Sequence, residues 1–326
     1  MAERVAASLP LARARLVGAV RGFDWRQYIV YIAFALVFIY FSVTLHGSGF
    51  LTSTNLLNIL RATATISIMA VAMTFVIGAA QIDLSVGATA GLASVTTAMT
   101  IQDHGMVLGI VVGILTGLVV GSVNGALVAA FAIPSFLVTL GMLGVAHGTA
   151  MWVTNTEPQP ILNETYNNAF GSGDLGPVPS LVVWTLVAVV IGHVVLRKTS
   201  YGRRVLATGG NAMAARFSGV NTRLVTFLVL AAMGMTAGIA GMLYAGRLQS
   251  GRFQWGEGDE LSVIAAVILG GTSLFGGRAT VIGSLLGSVM IGLINNGLIL
   301  AGLESSQQEI VRGAIIVVAV ALARRK

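Results

Sequence analysis

Residues 109–125 read GIVVGILTGLVVGSVNG, and this apolar stretch with a glycine at every fourth position decides the fold class. It lies inside a longer run, residues 104–156, that contains no Asp, Glu, Lys or Arg. A helix of about 20 apolar residues crosses the hydrocarbon core of a bilayer, so this run is too long for one span. Because proline interrupts a helix and disfavours helical backbone at the residue before it, Pro134 predicts two spans that meet near residues 133–135.

The composition of the whole chain indicates a membrane protein. Charged residues make up 10% of the 326 residues, whereas soluble proteins carry about 25%. Hydrophobic residues make up 56%, and the mean hydropathy is +0.87. Such a chain has too few polar residues to cover a water-facing surface or to stay disordered in water. The sequence therefore predicts an all-α, polytopic helical membrane protein.

Uncharged runs predict about ten transmembrane helices, with both chain termini in the cytoplasm. The expected ranges are 28–45, 62–81, 84–102, two helices within 104–156, then 180–196, 224–246, 261–275, 279–303 and 307–323. This layout places 15 of the 19 basic residues on the cytoplasmic side, as the positive-inside rule requires. The net charge of +7 is therefore a topology signal and does not indicate nucleic-acid binding. Most acidic residues, including Glu257, Asp259 and Glu260, are expected on the outer side.

The same layout gives a cytoplasmic segment, residues 1–27, followed by one transmembrane domain, residues 28–326. Two loops of this domain are sizeable, 155–179 on the outer side and 197–223 on the cytoplasmic side. Neither is long enough to form a domain with its own core. The chain contains no cysteine, which excludes a disulfide framework, a thiolate metal site and a cysteine nucleophile.

Glycines 109, 113, 117, 121 and 125 predict a flat stripe along one helix. Helices in lipid associate through close contacts between small residues, so the stripe indicates tight packing against a neighbouring helix. The sequence leaves open whether that contact is static or slides during transport.

Two glycine-rich segments, residues 77–87 and 269–280, interrupt the spans and predict tight turns or unwound helix. Asp83 in the first segment either accepts hydrogen bonds from free amides at the start of the next helix, or lines a transport path or carries a proton. Polar side chains such as Thr139 and Asn124 either line such a path or bond between helices. The candidates for the helix breaks and the pathway are Asp83, Ser85, Gly87, Asn124, Gly270, Gly271, Thr272, Asn295 and Asn296.

The cytoplasmic loop 197–223 carries signals for a short helix. Gly209 and Gly210 predict a chain break, Asn211 a helix N-cap, and Gly219 the stop after residues 212–218. A helix of about two turns is marginal alone and needs a surface to dock on. That surface is either lipid, held by cationic residues such as Arg203, Arg204 and Arg216, or a partner protein.

The loop resembles the ATPase-docking loop of permease subunits in bacterial ribose-type ABC importers. The resemblance rests on Gly202-Arg203, on ATGGN at residues 207–211 and on SGVN at residues 218–221. QIDLSVG at residues 81–87 is similar to the family's GIDLSVG signature, with Gln81 in place of glycine. ELSVIAAVILGGTSLFGG at 260–277 and NNGL at 295–298 also agree with the family pattern. The wider family includes other monosaccharide importers and, more distantly, branched-chain amino-acid importers.

The resemblance implies an inner-membrane permease that forms the pathway as a dimer of two copies. It implies two ATPase subunits below the membrane, which bind ATP and Mg, and a periplasmic sugar-binding protein above it. This chain itself carries no P-loop sequence and is expected to bind no cofactor or metal. The expected ATPase-coupling residues are Gly209, Gly210, Asn211, Ala214, Ala215, Arg216, Ser218 and Gly219.

Three other functions compete with this interpretation. An ion-driven secondary transporter would use a broken helix and a buried carboxylate, for which Asp83 stands alone. A membrane enzyme is disfavoured, because the four histidines are widely separated and no H-E-x-x-H or G-x-S-x-G sequence is present. The third alternative is a branched-chain amino-acid permease of the same superfamily.

Overall fold

The computed structural model describes residues 29–323, so the predicted cytoplasmic segment 1–27 and the basic tail 324–326 lie outside the described residues. Helices dominate this part of the chain, which confirms the all-α class. In chain order they are α1 (Ile29–Thr44), α2 (Ser53–Gly78), α3 (Val86–His104), α4 (Met106–Phe131), α5 (Ser135–Thr154), α6 (Glu164–Phe170), α7 (Ser180–Lys198), α8 (Ser200–Gly210), α9 (Ala212–Phe217), α10 (Thr222–Arg247), α11 (Asp259–Leu269), α12 (Val281–Leu300) and α13 (Ser305–Ala323).

Four two-residue strands form two antiparallel pairs in the connecting segments. β1 (Gln159–Pro160) pairs with β4 (Ser250–Gly251). β2 (Asp174–Leu175) pairs with β3 (Val178–Pro179). The first pair ties loop 155–179 to the segment that follows α10.

Within residues 29–323, six helices are long and apolar enough to cross a membrane, namely α2, α4, α5, α7, α10 and α12. The split at Pro134 is confirmed, since α4 ends at Phe131 and α5 begins at Ser135. The start expected at residue 62 is wrong. α2 begins at Ser53, because Thr52 caps it by accepting a hydrogen bond from the amide of Asn55.

The predicted helix over residues 261–275 is also wrong. α11 has 11 residues, which is about 16 Å and roughly half of the hydrocarbon core. Gly271 follows its end with a φ of +89°, a conformation that residues with a Cβ avoid. Non-helical segments 248–258 and 270–280 therefore flank α11 on both sides.

The glycine stripe of α4 packs against α10 from Gly113 to Gly125, and against α3 at Gly109 and Gly113, which confirms the predicted tight packing. A Cβ on Gly117 would overlap the carbonyl oxygen of Gly234, and one on Gly121 would lie 2.5 Å from the carbonyl oxygen of Leu230. Gly234 and Gly238 face the stripe from α10 in return. The two backbones therefore touch directly, which is the contact that holds helices together in lipid.

We call the end of the bundle that carries α8 and α9 the inner end, and the end that carries residues 155–179 the outer end. Residues 250–258, the re-entrant segment, leave the outer end and run back along α3. Gly251 packs against Ser94, and Gly256 packs against Gly87. Tyr244 of α10 donates a hydrogen bond to Asp259 at the start of α11. Close glycine contacts therefore draw this segment, which the sequence predicted to lie in an outer loop with Glu257, Asp259 and Glu260, along α3 and into the bundle.

Candidate functional site

Two short helices at the inner end form a connection between α7 and α10, and capping side chains start both of them. Thr199 accepts a hydrogen bond from the amide of Gly202 at the start of α8. Asn211 accepts one from the amide of Ala214 at the start of α9. The predicted N-cap at Asn211 is confirmed, and Gly219 ends the turn after α9 with a φ of +83°.

The predicted chain break at Gly209 and Gly210 is wrong, because both residues form the last turn of α8. The chain turns one residue later, at Asn211, whose backbone is extended with φ −159° and ψ 99°. α8 itself is absent from the sequence prediction. The inner connection is therefore two helices joined at an asparagine.

α9 presents apolar side chains away from the rest of the chain. Met213 is 71% exposed, and Phe217, one turn later, is 87% exposed. Ala215 is 5% exposed and faces the protein. Arg216 donates a 2.6 Å hydrogen bond from Nε to the hydroxyl of Thr222. Two large exposed apolar side chains on one short helix are typical of a surface that contacts another protein or a membrane.

α8 contacts the bundle through its backbone. A Cβ on Gly209 would overlap the carbonyl oxygen of Gly78 at the end of α2. The amide of Gly277 donates a 3.1 Å hydrogen bond to that same carbonyl oxygen. Tyr201 stacks on Phe75 of α2 with ring centroids 6.3 Å apart. Burial raises the pKa of Tyr201 to about 12, so its hydroxyl stays neutral.

The first helix break, residues 79–85, is held by a chain of buried polar groups. Asp83 accepts hydrogen bonds from the amide and the hydroxyl of Ser85, at 2.8 and 2.7 Å. Asn124 of α4 donates to the Ser85 hydroxyl at 2.9 Å. All three side chains are buried. The helix begins after them at Val86, so Asp83 caps the turn that precedes the helix.

α5 holds the backbone of the same break. The hydroxyl of Ser135 accepts a hydrogen bond from the amide of Ile82 at 3.0 Å. The hydroxyl of Thr139 accepts one from the amide of Leu84, also at 3.0 Å. Amides that an unwound helix leaves without partners are therefore satisfied by a neighbouring helix.

The second break, residues 270–280, packs against the start of α12. A Cβ on Gly270 would lie 2.5 Å from the carbonyl oxygen of Gly283. The hydroxyl of the buried Thr272 accepts a 3.2 Å hydrogen bond from the amide of Thr280. Gly270, Gly271 and Thr272 thus form a turn that only small residues fit.

Asn295 and Asn296 lie apart from both breaks, on the outer half of α12. Asn296 and Asn55 of α2 exchange two side-chain hydrogen bonds, of 3.0 and 2.9 Å. Asn295 is half-buried beside this pair. The predicted pathway candidates therefore fall into separate places, and Asp83, Ser85 and Asn124 are the set that the fold brings into one network.

The outer end is fixed by contacts between loop 155–179 and the bundle. The hydroxyl of Tyr166 donates a 2.8 Å hydrogen bond to the carbonyl oxygen of Met242, and burial raises the pKa of Tyr166 above its ordinary value. Arg61 of α2 forms a 2.6 Å salt bridge with Asp174. Within residues 29–323, no group of three or more His, Cys, Asp or Glu residues is arranged to hold a metal ion.

Comparison with known proteins identifies the family. Residues 55–320 match the family described as "Branched-chain amino acid transport system / permease component". The chain belongs to this permease family. The permease is 41% identical over 317 residues to the "Probable ABC transporter permease protein YphD" of Escherichia coli, covering 97% of this chain and 95% of that protein.

Relatives with sugar names cover nearly as much of the permease. It is 41% identical over 286 residues to the "Ribose import permease protein RbsC" of Bacillus subtilis, with 87% of this chain and 89% of that protein covered. It is 36% identical over 312 residues to the "L-arabinose ABC transporter permease protein AraH" of Azospirillum brasilense, with 95% and 91% covered. No solved structure matches the chain significantly.

Two features of the permease site were not predicted from its sequence. Met213 and Phe217 carry the exposed apolar face of α9, and their spacing of four residues after the Asn211 cap is a signal that was available. The re-entrant segment was assigned to an outer loop because it is polar. Its glycines, Gly251 and Gly256, are the features that permit the close approach to α3.

Proposed function

We propose that this chain is the membrane-spanning permease subunit of an ABC importer that carries a monosaccharide across the cytoplasmic membrane. The sugar class is supported by relatives named as ribose and arabinose permeases, which align with most of the chain. One structural feature carries the proposal. α9 exposes Met213 and Phe217, while the adjoining α8 lies against the inner ends of both helix breaks.

The chain crosses the membrane ten times, with both termini in the cytoplasm. Nine crossings are helices, and the tenth is α11 together with the non-helical segments on either side of it. The basic loop residues support this orientation, because cytoplasmic loops carry an excess of Arg and Lys. The inner end is then cytoplasmic and the outer end periplasmic.

The permease works with three partners. An ABC ATPase subunit binds at α9 and supplies all ATP and Mg chemistry. A periplasmic sugar-binding protein docks at the outer end, and a second copy of the chain completes the pathway. The permease itself holds no cofactor.

The contacts of α8 suggest how force reaches the pathway. Closure of the ATPases displaces α9 through Met213 and Phe217. α8 moves with it and shifts Gly78, which precedes the first break, and Gly277, which lies within the second. Because these backbones touch without intervening side chains, the displacement is not absorbed by side-chain rotation. The breaks then change the packing of α3 and α11, which alternates access to the two sides.

Reconstitution tests the proposal. The purified permease, its cognate ATPase and its binding protein are placed in vesicles, and uptake of radiolabelled ribose, arabinose and leucine is measured with and without ATP. We expect ATP-dependent uptake of a sugar that needs all three components. Uptake by the permease alone under a proton or sodium gradient would contradict the proposal in favour of a secondary transporter.

The same experiment addresses a second candidate, a branched-chain amino-acid importer. The family description itself names branched-chain amino-acid transport. ATP-dependent uptake of leucine without any sugar uptake would favour this candidate and would leave the ATPase-coupled mechanism intact.

A further inference from the structure

The re-entrant segment, residues 250–258, follows α3 closely enough to be part of the bundle. Gly251 would place a Cβ 2.5 Å from the carbonyl oxygen of Ser94, and Gly91 would place one 2.6 Å from the carbonyl oxygen of Phe253. A Cβ on Gly87 would overlap the carbonyl oxygen of Gly256. Ser94 and Gly87 are two turns apart, so the segment descends about 10 Å along α3.

The position of α4 gives the depth of this segment. Ser85, just before Gly87 on the chain, is hydrogen-bonded to Asn124 at 2.9 Å. From Asn124, α4 continues inward for seven residues to Phe131, about 10 Å, and outward to Met106, about 27 Å. The low point of the re-entrant segment therefore lies well inside the length of an apolar membrane span.

Non-helical backbone at such a depth is restricted by the bilayer. It is tolerated only where it is buried in protein or lines a water-filled cavity. Gly251 and Gly256 are buried against α3, whereas Arg252, Gln254 and Glu257 are exposed on the other side of the segment. Because ionised groups at membrane depth cost several kcal/mol in hydrocarbon, these exposed side chains face water.

α5 bounds this water-facing surface on one side. His147 of α5 meets the ring of Phe253 edge to face, with centroids 5.4 Å apart. Next to His147 on the same helix, Gly144 and Gly148 have no atom within 4 Å of a built Cβ. Among residues 29–323 this surface remains exposed at Arg252, Gln254 and Glu257, so a second protein surface must close it from lipid.

The side chains of the segment suit a polyhydroxylated solute. Gln254 offers both donors and an acceptor, and Glu257 offers acceptors, which matches hydroxyl groups that donate and accept. The Trp255 indole is fixed by a 2.7 Å hydrogen bond from Nε1 to the carbonyl oxygen of Ser250. The Arg252 guanidinium lies over that ring at 5.5 Å. Aromatic faces beside a few placed polar groups are typical of small-molecule sites.

We infer that the re-entrant segment lines the solute pathway and that Gln254 and Glu257 contact the hydroxyl groups of the sugar in transit. A second copy of the chain, facing this segment and the Gly144 side of α5, forms the opposite wall. The inference rests on the proposed function, because it names the solute-contacting residues of the same transporter.

Cysteine labelling tests the water-facing position directly, since the natural chain has no cysteine. Gln254→Cys and Glu257→Cys are compared with Val190→Cys, an exposed position on the apolar face of α7. A charged methanethiosulfonate reagent is applied to the assembled transporter, without nucleotide and with ATP trapped by vanadate. We expect at least one state in which both test positions react about tenfold faster than Val190→Cys, because hydrocarbon excludes the charged reagent. If both test positions react as slowly as Val190→Cys, both without nucleotide and in the vanadate-trapped state, the inference is overturned.

Measurements of sugar uptake distinguish a side chain that contacts the solute from one that is only exposed to water. Glu257→Gln keeps the shape of the side chain, and Glu304→Gln is the matched control at an exposed site outside the segment. We expect Glu257→Gln to lower sugar uptake several-fold and to change the ratio of uptake between ribose and arabinose. ATPase stimulation by the loaded binding protein stays at the control level. An unchanged uptake rate and an unchanged ratio would refute the contact role.

The two sets of results also distinguish this inference from the proposed function. If no sugar is carried, the proposed sugar class fails, while labelling of Gln254→Cys still reports whether the segment faces water. If sugar is carried but both cysteines stay unreactive, the proposed function stands and the re-entrant segment is not the pathway wall.

Discussion

Gly209 of α8 lies against the carbonyl oxygen of Gly78, the last residue of α2, with no room for a Cβ between them. Gly277 donates its amide to the same oxygen. The inner connection, the end of a long helix and the second break thus meet at one backbone oxygen. This junction connects α8 to both interrupted helices through direct backbone contacts.

The close contact at this junction predicts that one methyl group added to Gly209 lowers both stability and uptake. We expect Gly209→Ala to destabilise the permease by about 1–3 kcal/mol through overpacking, and to reduce ATP-dependent uptake. Thermal unfolding in detergent and vesicle uptake are the measurements.

Gly210→Ala is the matched control for this change, because its Cβ would lie 3.7 Å from the nearest atom, the Cα of Gly277. Its free energy of unfolding should equal that of the natural chain. Equal behaviour of the two variants would show that the contact between Gly209 and Gly78 does not matter.

The exposed face of α9 predicts a loss of coupling without a loss of folding. Phe217→Asp places a charge on the proposed ATPase contact, so we expect ATPase stimulation and uptake to fall at least about tenfold, as for a central residue of an interface. Membrane insertion and the unfolding temperature of the isolated permease should not change, because the side chain is 87% exposed.

Phe217→Leu serves as the apolar control and should retain coupling. Ala215→Glu is less informative, although Ala215 belongs to the predicted docking set. Its side chain is buried within the chain, so a glutamate there disturbs folding before it disturbs docking. Full coupling in Phe217→Asp would place the ATPase elsewhere.

The glycine stripe predicts that an added methyl group destabilises the permease only where the glycine contacts another backbone. Gly117→Ala would push the Cβ into the carbonyl oxygen of Gly234, and we expect a loss of about 1–3 kcal/mol. Gly313→Ala on α13 meets nothing within 4 Å among the described residues and should leave stability unchanged or slightly raised. The measurement is the unfolding temperature of each purified variant. A similar decrease in the two variants would contradict direct backbone contact between α4 and α10.

The buried network of Asp83, Ser85 and Asn124 at the first break predicts that the Ser85 hydroxyl stabilises the fold. Ser85→Ala removes one of the two donors to Asp83, since the Ser85 amide remains, and it removes the acceptor for Asn124. Leaving the buried Asn124 amide without this partner costs about 1–3 kcal/mol. Ser122→Ala on α4 is the control, since that side chain is half-buried outside the network. Denaturation in detergent should separate the two variants, and equal stability would mean that the network does not hold the break.

Much of the architecture could be predicted from local patterns. Long uncharged runs predicted α4, α5, α7, α10 and α12 close to their observed positions, because spanning a bilayer requires apolar side chains over a fixed length. Pro134 marked the split between two helices, and Asn211 marked the start of α9, because both act on the backbone next to them. The cap signals of loop 197–223 predicted α9 close to its observed position, although Gly209 and Gly210 end α8 instead of breaking the chain.

The sequence by itself determined the membrane class, the helical periodicity and the family, since composition, spacing and motifs are local properties of the chain. Only the tertiary structure decided which surfaces meet. Gly209 and Gly78 are far apart in sequence, as are Gly256 and Gly87, and glycines carry no side chain that reveals a partner. The contact between Gly256 and Gly87 draws a polar segment to membrane depth. Both contacts form only when the fold brings distant backbones within van der Waals distance.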